Sequence, residues 1–198
     1  VLARHDGTEH MVSPKMVYIS DTTEIGTVYT KAELTALRRC CDEHGLLLFL
    51  DGARLGSALT SPANDLTLPD LAALTDVFTI GGTKNGALFG EAVIMTVPCS
   101  HFRWHMKQRG GMLAKGRLLG VQFDALMEDD LYEKIAAHAD RLADKLRHCL
   151  KELGVPFLVE NTTNQLFPVL PDGVLDALAE DFVFSEQERV DETHRAVR

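Results

Sequence analysis

Asp51, Arg54 and Lys84 are the residues whose types and spacing could do chemistry. Asp51 stops the apolar run Leu46-Leu47-Leu48-Phe49-Leu50 and opens Asp51-Gly52-Ala53-Arg54. Lys84 follows a second run, Val77-Phe78-Thr79-Ile80, inside Gly81-Gly82-Thr83-Lys84-Asn85-Gly86. Each run has the length and richness of a strand buried on both faces. In open α/β sheets, ligands sit outside the carboxyl ends of the strands. An acid, a guanidinium and a lysine in a glycine-rich turn are therefore expected to converge on one crevice. Glycines beside Asp51 and Lys84 let a ligand approach the backbone. A lysine partly desolvated there can form a Schiff base. A phosphate-binding lysine is the rival reading, and the GxxxxGK[ST] pattern that would support it is absent.

The acid and the lysine together have a specific meaning. Pyridoxal phosphate needs a lysine for its aldehyde and an acid beside its pyridinium nitrogen. Asp51 and Lys84, at the ends of neighbouring strands, match those two needs.

The elements that position them are marked by pattern and punctuation. Met16–Ser20 reads as a buried strand. Thr30 and Glu33 form a capping box for a helix with Leu34, Leu37 and Cys41 on its inner face, and Gly45 stops it. This strand–helix–strand unit implies parallel strands. Thr67, Pro69 and Asp70 start another helix. The short connection from 77–80 to 91–97 favours an antiparallel neighbour, so a mixed sheet is expected. His101–Gly111 and Met112–Met127 read as helices. Asp129 or Asp130 is expected to cap a long helix with Leu131, Ile135, His138, Leu142, Leu146, Cys149 and Leu153 on its buried stripe, His138 being a core histidine. Strands at 156–160, 165–170 and 194–198 with a helix at 172–181 suggest a small α+β unit.

Bulk properties narrow the class. The chain has 198 residues, of which 45% are apolar and 25% charged, the balance of a globular protein. A net charge of −9 argues against non-specific nucleic-acid or anionic-membrane binding. No apolar run approaches the roughly 20 residues of a membrane span. Cys40, Cys41, Cys99 and Cys149 show no CxxC spacing, so reduced thiols in a cytoplasmic protein and no metal site are expected.

Asp51-Gly52-Ala53-Arg54-Leu55 followed by the lysine loop resembles the low-specificity threonine aldolases, which belong to the β-eliminating lyase group of fold-type I pyridoxal phosphate (PLP) enzymes. The resemblance runs from about Pro14 to Arg198 and includes Gly110-Gly111-Met112-Leu113-Ala114-Lys115 and the closing Val197-Arg198. The Gly-Gly-Thr-Lys-Asn-Gly loop departs from the more usual serine-lysine-glycine form and marks a divergent branch.

That resemblance implies an α/β three-layer large domain with a mixed, mostly parallel sheet over residues 1–111. A linking helix and an incomplete small α+β domain would follow over 112–198. It implies that Lys84 holds PLP and Asp51 pairs with its ring nitrogen. Arg54 would lie near the PLP 3′-oxygen or the substrate carboxylate, and Thr83 or Lys115 near the phosphate. Arg198 would clamp the substrate carboxylate, and His10 would help deprotonate a β-hydroxyl. The implied reaction cleaves a threonine-like amino acid to glycine and an aldehyde, in a homodimer or homotetramer. β-Elimination, transamination or an inactive fragment remain the alternatives. Residues 1–15 are too few for the family's glycine-rich phosphate loop and ring-stacking residue. A partial chain is therefore expected, with poor PLP retention if it stands alone.

Overall fold

A computed structural model describes residues 2–5 and 7–198. Four strands, β1 (Met16–Ser20), β2 (Leu47–Asp51), β3 (Val77–Gly81) and β4 (Glu91–Met95), form one sheet in that order. β1, β2 and β3 are parallel, and β4 is antiparallel to β3, which makes the sheet mixed as the short connection implies. Helix α1 (Lys31–His44) carries the β1–β2 crossover. Its capping box is present, with Thr30 Oγ1 accepting from Glu33 N and Glu33 Oε2 accepting from Thr30 N, and Gly45 closes it at φ 63°. A short helix α2 (Leu55–Thr60), which the sequence pattern leaves as loop, comes after β2, and α3 (Leu68–Leu74) starts on a Thr67–Asp70 box.

The core lies on one face of this sheet. Leu48 and Leu50 of β2 meet Leu34 and Cys41 of α1, Leu55 of α2 and Leu71 of α3. The expectation of strands buried on both sides holds for β3, where Phe78 to Gly81 are all buried, and is corrected for β1 and β2. Met16, Tyr18, Leu47, Val93 and Met95 are exposed on the opposite face, because the helices that pack on the sheet cover the other side.

Helix α4 (Phe102–Gln108) ends before Gly110, which has a positive φ. Residues 112–116 are irregular, with a turn at 114–116, rather than helix, so α5 spans Arg117–Met127. The long helix α6 (Leu131–Glu152) is present, and its cap and buried face both differ from the pattern. Asp130 sits at φ 55° and makes no capping hydrogen bond through its side chain. The buried positions are Tyr132, Ala136, Asp140 and Arg147, whereas Leu131, Leu142, Leu146 and Leu153 are exposed and His138 faces outward beside Arg141. Polar pairing decides the orientation. Asp140 accepts from Ser57 Oγ at 2.6 Å and Thr60 Oγ1 at 2.7 Å, and Arg147 donates to Thr163 O at 2.7 Å.

The C-terminal residues build a second, antiparallel sheet of order β5–β7–β6 from β5 (Val169–Pro171), β6 (Glu186–Arg189) and β7 (His194–Val197), with α7 (Asp172–Leu178). The sequence pattern does not mark β6 as a strand, since all four of its residues are exposed and polar. The segments at 156–160 and 165–170 meet through one isolated bridge, Phe157–Pro168, before β5.

At the end of β1, Asp21 is 2% exposed and its Oδ1 has no partner among the described residues. Burial pushes its carboxyl up to about 7, partly offset by a hydrogen bond from the Tyr29 backbone. A folded-state pKa above the unfolded one gives a contribution that is complete below about pH 4 and is lost as pH rises toward about 7. Asp21→Asn keeps the shape without the charge. Its stability relative to the parent is expected to rise from about pH 4 to about pH 7 and then level, by at most about 1.4 kcal/mol per pH unit. Urea midpoints that differ by the same amount at both ends of this range would contradict it.

Candidate active site

Two strand ends and one buried tyrosine build the site. Gly52 lets β2 close on β3: a Cβ there would stand 1.9 Å from Thr79 O. The contact is sealed by Gly52 N donating to Thr79 Oγ1 at 2.8 Å and Gly81 N donating to Gly52 O at 2.9 Å. Asp51 and the Lys84 turn therefore leave the sheet side by side. Tyr132 of α6, 1% exposed, ties the start of α2 to the end of β3. Its hydroxyl donates to Gly81 O at 2.9 Å and accepts from Gly56 N at 3.1 Å. The Lys84 turn is anchored by Asn85, whose Nδ2 donates to Tyr132 O at 2.8 Å.

These constraints open a cavity of about 320 Å³ lined by Lys84 and Asn85 from the turn, Arg54 and Ser57 from the β2–α2 region, and Asn164, Gln165 and Arg198 from the C-terminal segments. Lys84 Nζ has no hydrogen bond or ion pair among the described residues. Arg54 is mostly buried and lies 3.6 Å from Glu24. Arg198 is held through its backbone, which exchanges two hydrogen bonds with Ser185, leaving the guanidinium available. Gln165 Nε2 donates to Glu24 O at 2.8 Å, which ties the loop after β1 to the same wall.

Asp51 is not among the lining residues. Its Oδ1 accepts from the N–H of Ala53, a residue that does line the cavity, at 2.9 Å, and its Oδ2 accepts from the Tyr18 hydroxyl. The structure thus brings together Lys84, Arg54 and Arg198, with Asp51 adjoining through Ala53. Thr83 and Lys115 are exposed and outside the lining, and His10 is exposed beside Glu9 at 3.7 Å. Tyr132, Asn85, Ser57, Asn164 and Gln165 are the residues that sequence reasoning passes over. The only signal for any of them is Asn85's place inside the lysine turn.

The donor set fits pyridoxal phosphate at two of its ends. Lys84 would offer an amine with no partner among the described residues to the aldehyde, and Asp51 retains lone pairs that a protonated ring nitrogen could meet.

A mixed, mostly parallel α/β sheet with an acid, an arginine and a lysine at its strand ends, and a second arginine brought in from the C-terminal sheet, has a fold-type I pyridoxal phosphate enzyme architecture. The chain belongs to the beta-eliminating lyase family, which it matches over residues 1–172. It is 47% identical to a threonine aldolase of Leishmania major, superposing with a TM-score of 0.93 over 99% of this chain and 58% of that one. It is 33% identical over 172 residues to the low specificity L-threonine aldolase of Pseudomonas aeruginosa, covering 85% of this chain and 50% of that protein. Mouse CSAD, at 16% identity and a TM-score of 0.67, shares the fold alone. The chain spans about half the length of the curated relatives it matches.

Tyr132→Phe is expected to strip the partner from two buried backbone groups, Gly56 N–H and Gly81 C=O, at a cost of about 1–3 kcal/mol for each. Urea unfolding should show a lower midpoint with an unchanged slope. A parent-like midpoint would contradict the locking role.

Proposed function

We propose that this chain carries the lysine, acid and arginine side of a PLP-dependent lyase site that cleaves a threonine-like β-hydroxy-α-amino acid to glycine and an aldehyde. The observation that carries the reading is the cavity in which Lys84 stands with Arg54 and Arg198, next to the Asp51 strand end. It is supported by the high identity to the Leishmania major threonine aldolase. When bound, pyridoxal phosphate supplies an aldehyde that captures amines and a ring that takes up the electron pair left when a bond at Cα breaks.

The chain's own residues then have distinct tasks. Lys84 Nζ would hold pyridoxal phosphate at its aldehyde, and as an amine with no partner among the described residues it would be able to take up or release a proton. Asp51 keeps a proton on the ring nitrogen by offering a carboxylate oxygen to it. Arg54 and Arg198 present planar forks that suit a substrate carboxylate. Two cations on one carboxylate would fix the orientation of the substrate, and with it which bond at Cα is set to break. His10, Thr83 and Lys115 lie outside the cavity and enter no step of this scheme.

Self-association as a dimer or tetramer belongs to the same reading. It is supported by the exposed apolar residues of the first sheet and of α6. No helix among the described residues is long and apolar enough to cross a membrane. The four cysteines are unpaired, which supports a cytoplasmic setting.

The test is to incubate the full chain with PLP and threonine and to monitor the visible absorbance of protein-bound cofactor and the release of acetaldehyde and glycine. Lys84→Ala is expected to abolish the absorbance and lower turnover by at least about a thousandfold, the scale of losing a group that acts covalently. Retention of both by Lys84→Ala would refute the assignment. Ammonia and an oxo acid as products would redirect it to β-elimination.

A further inference from the structure

The sheet face that carries Asp51 carries a second group that reaches it. β1 and β2 pair in parallel with Tyr18 opposite Phe49 and Ser20 opposite Asp51. Side chains alternate along a strand, so Tyr18, Phe49 and Asp51 project from one face. The Tyr18 and Phe49 rings stack, with centroids 5.3 Å apart and planes 9° apart. The Tyr18 hydroxyl donates to Asp51 Oδ2, while Oδ1 accepts from Ala53 N–H at 2.9 Å. The carboxylate is thereby held at both oxygens, by one donor from a neighbouring strand and one from its own turn.

Packing does not account for the hydroxyl. Tyr18 is 56% exposed, and a phenylalanine would stack on Phe49 equally well. What the hydroxyl adds is a hydrogen bond to a carboxylate, which is about twice as strong as one between neutral groups. It also uses one of about four lone-pair positions and leaves others for a third donor. The phenol stays a donor across the neutral range. Its hydrogen bond to Asp51 raises it above the ordinary tyrosine value, with burial, the Asp51 charge and more weakly Glu24 adding to this and Ser20 opposing it.

We propose that Tyr18 is a positioning residue for Asp51, setting the plane of the carboxylate so that a remaining lone pair meets the pyridinium nitrogen of PLP. This rests on the PLP reading of the site. It adds a residue from a different strand that acts only through Asp51.

Two measurements on the full chain separate the inference from the reading beneath it. The first needs no cofactor. With ¹³Cζ-labelled tyrosine, the Tyr18 resonance is assigned by its loss in Tyr18→Phe and titrated with pH. Its raised midpoint is expected to fall in Asp51→Asn, and an unchanged midpoint would overturn the contact. The second compares binding of PLP and of 1-deaza-PLP, which lacks the ring nitrogen, by visible absorbance. Tyr18→Phe is expected to weaken PLP about tenfold to a hundredfold, the scale of one hydrogen bond to a charged group, and to leave the deaza analogue unchanged. Equal weakening of both analogues would show a merely structural role and overturn the proposal. Unchanged or tighter PLP binding would overturn it too, while leaving Lys84 and Asp51 in place. Binding is followed up to saturating analogue, and a parent that binds neither analogue even at millimolar concentration would refute the PLP reading and the positioning role together.

Discussion

A single buried phenol holds the two halves of the site in register. Tyr132 Oη lies between the N–H of Gly56 at the start of α2 and the carbonyl of Gly81 at the end of β3. Both glycines are buried, so leaving either group unpaired would cost about 1–3 kcal/mol. The arrangement therefore has little slack. Arg54 precedes Gly56 by two positions and Lys84 comes three after Gly81, so both are placed relative to one oxygen atom. The close approach depends on small residues. A Cβ on Gly56 would meet Asn85 Nδ2 at 2.9 Å and Ala136 Cβ at 3.0 Å.

The same physical demand explains why α6 turns a polar face inward. A helix docked by hydrophobic burial alone could slide or rotate with modest loss. Asp140 bonded to Ser57 and Thr60 of α2, and Arg147 bonded to Asn161 and Thr163 of the following segment, select one rotation. Burial pushes the Asp140 carboxyl up, and the two hydroxyls and the Asn164 N–H act against that. Arg147 also fixes the 161–165 segment, which brings Asn164 and Gln165 to the cavity. Orientation is specified by buried polar pairs whose net stability is small.

The parts of this architecture that are legible in the sequence are those written in local signals. Apolar runs ending in Asp51 and in the Lys84 turn mark strand ends, and the Thr30–Glu33 and Thr67–Asp70 boxes mark helix starts that the structure bears out. The parts that are not legible depend on partners distant in sequence. Hydrophobic periodicity places the leucines of α6 inward, since it cannot see that Asp140 has hydroxyl partners on α2. Tyr132 carries no signal, because a tyrosine's role depends on where its hydroxyl lands. Asp51 and Lys84 are readable as a pair, but the Tyr18 contact needs the register between β1 and β2.

The central claim is that Lys84 is the amine that meets the cofactor aldehyde. The most direct measurement is to incubate the full chain with PLP, reduce with borohydride, digest it and locate the pyridoxyl group by mass spectrometry. The modification is expected on Lys84, lost in Asp51→Asn to a smaller degree than in Lys84→Ala. Modification confined to other lysines, with Lys84 recovered unaltered, would contradict it.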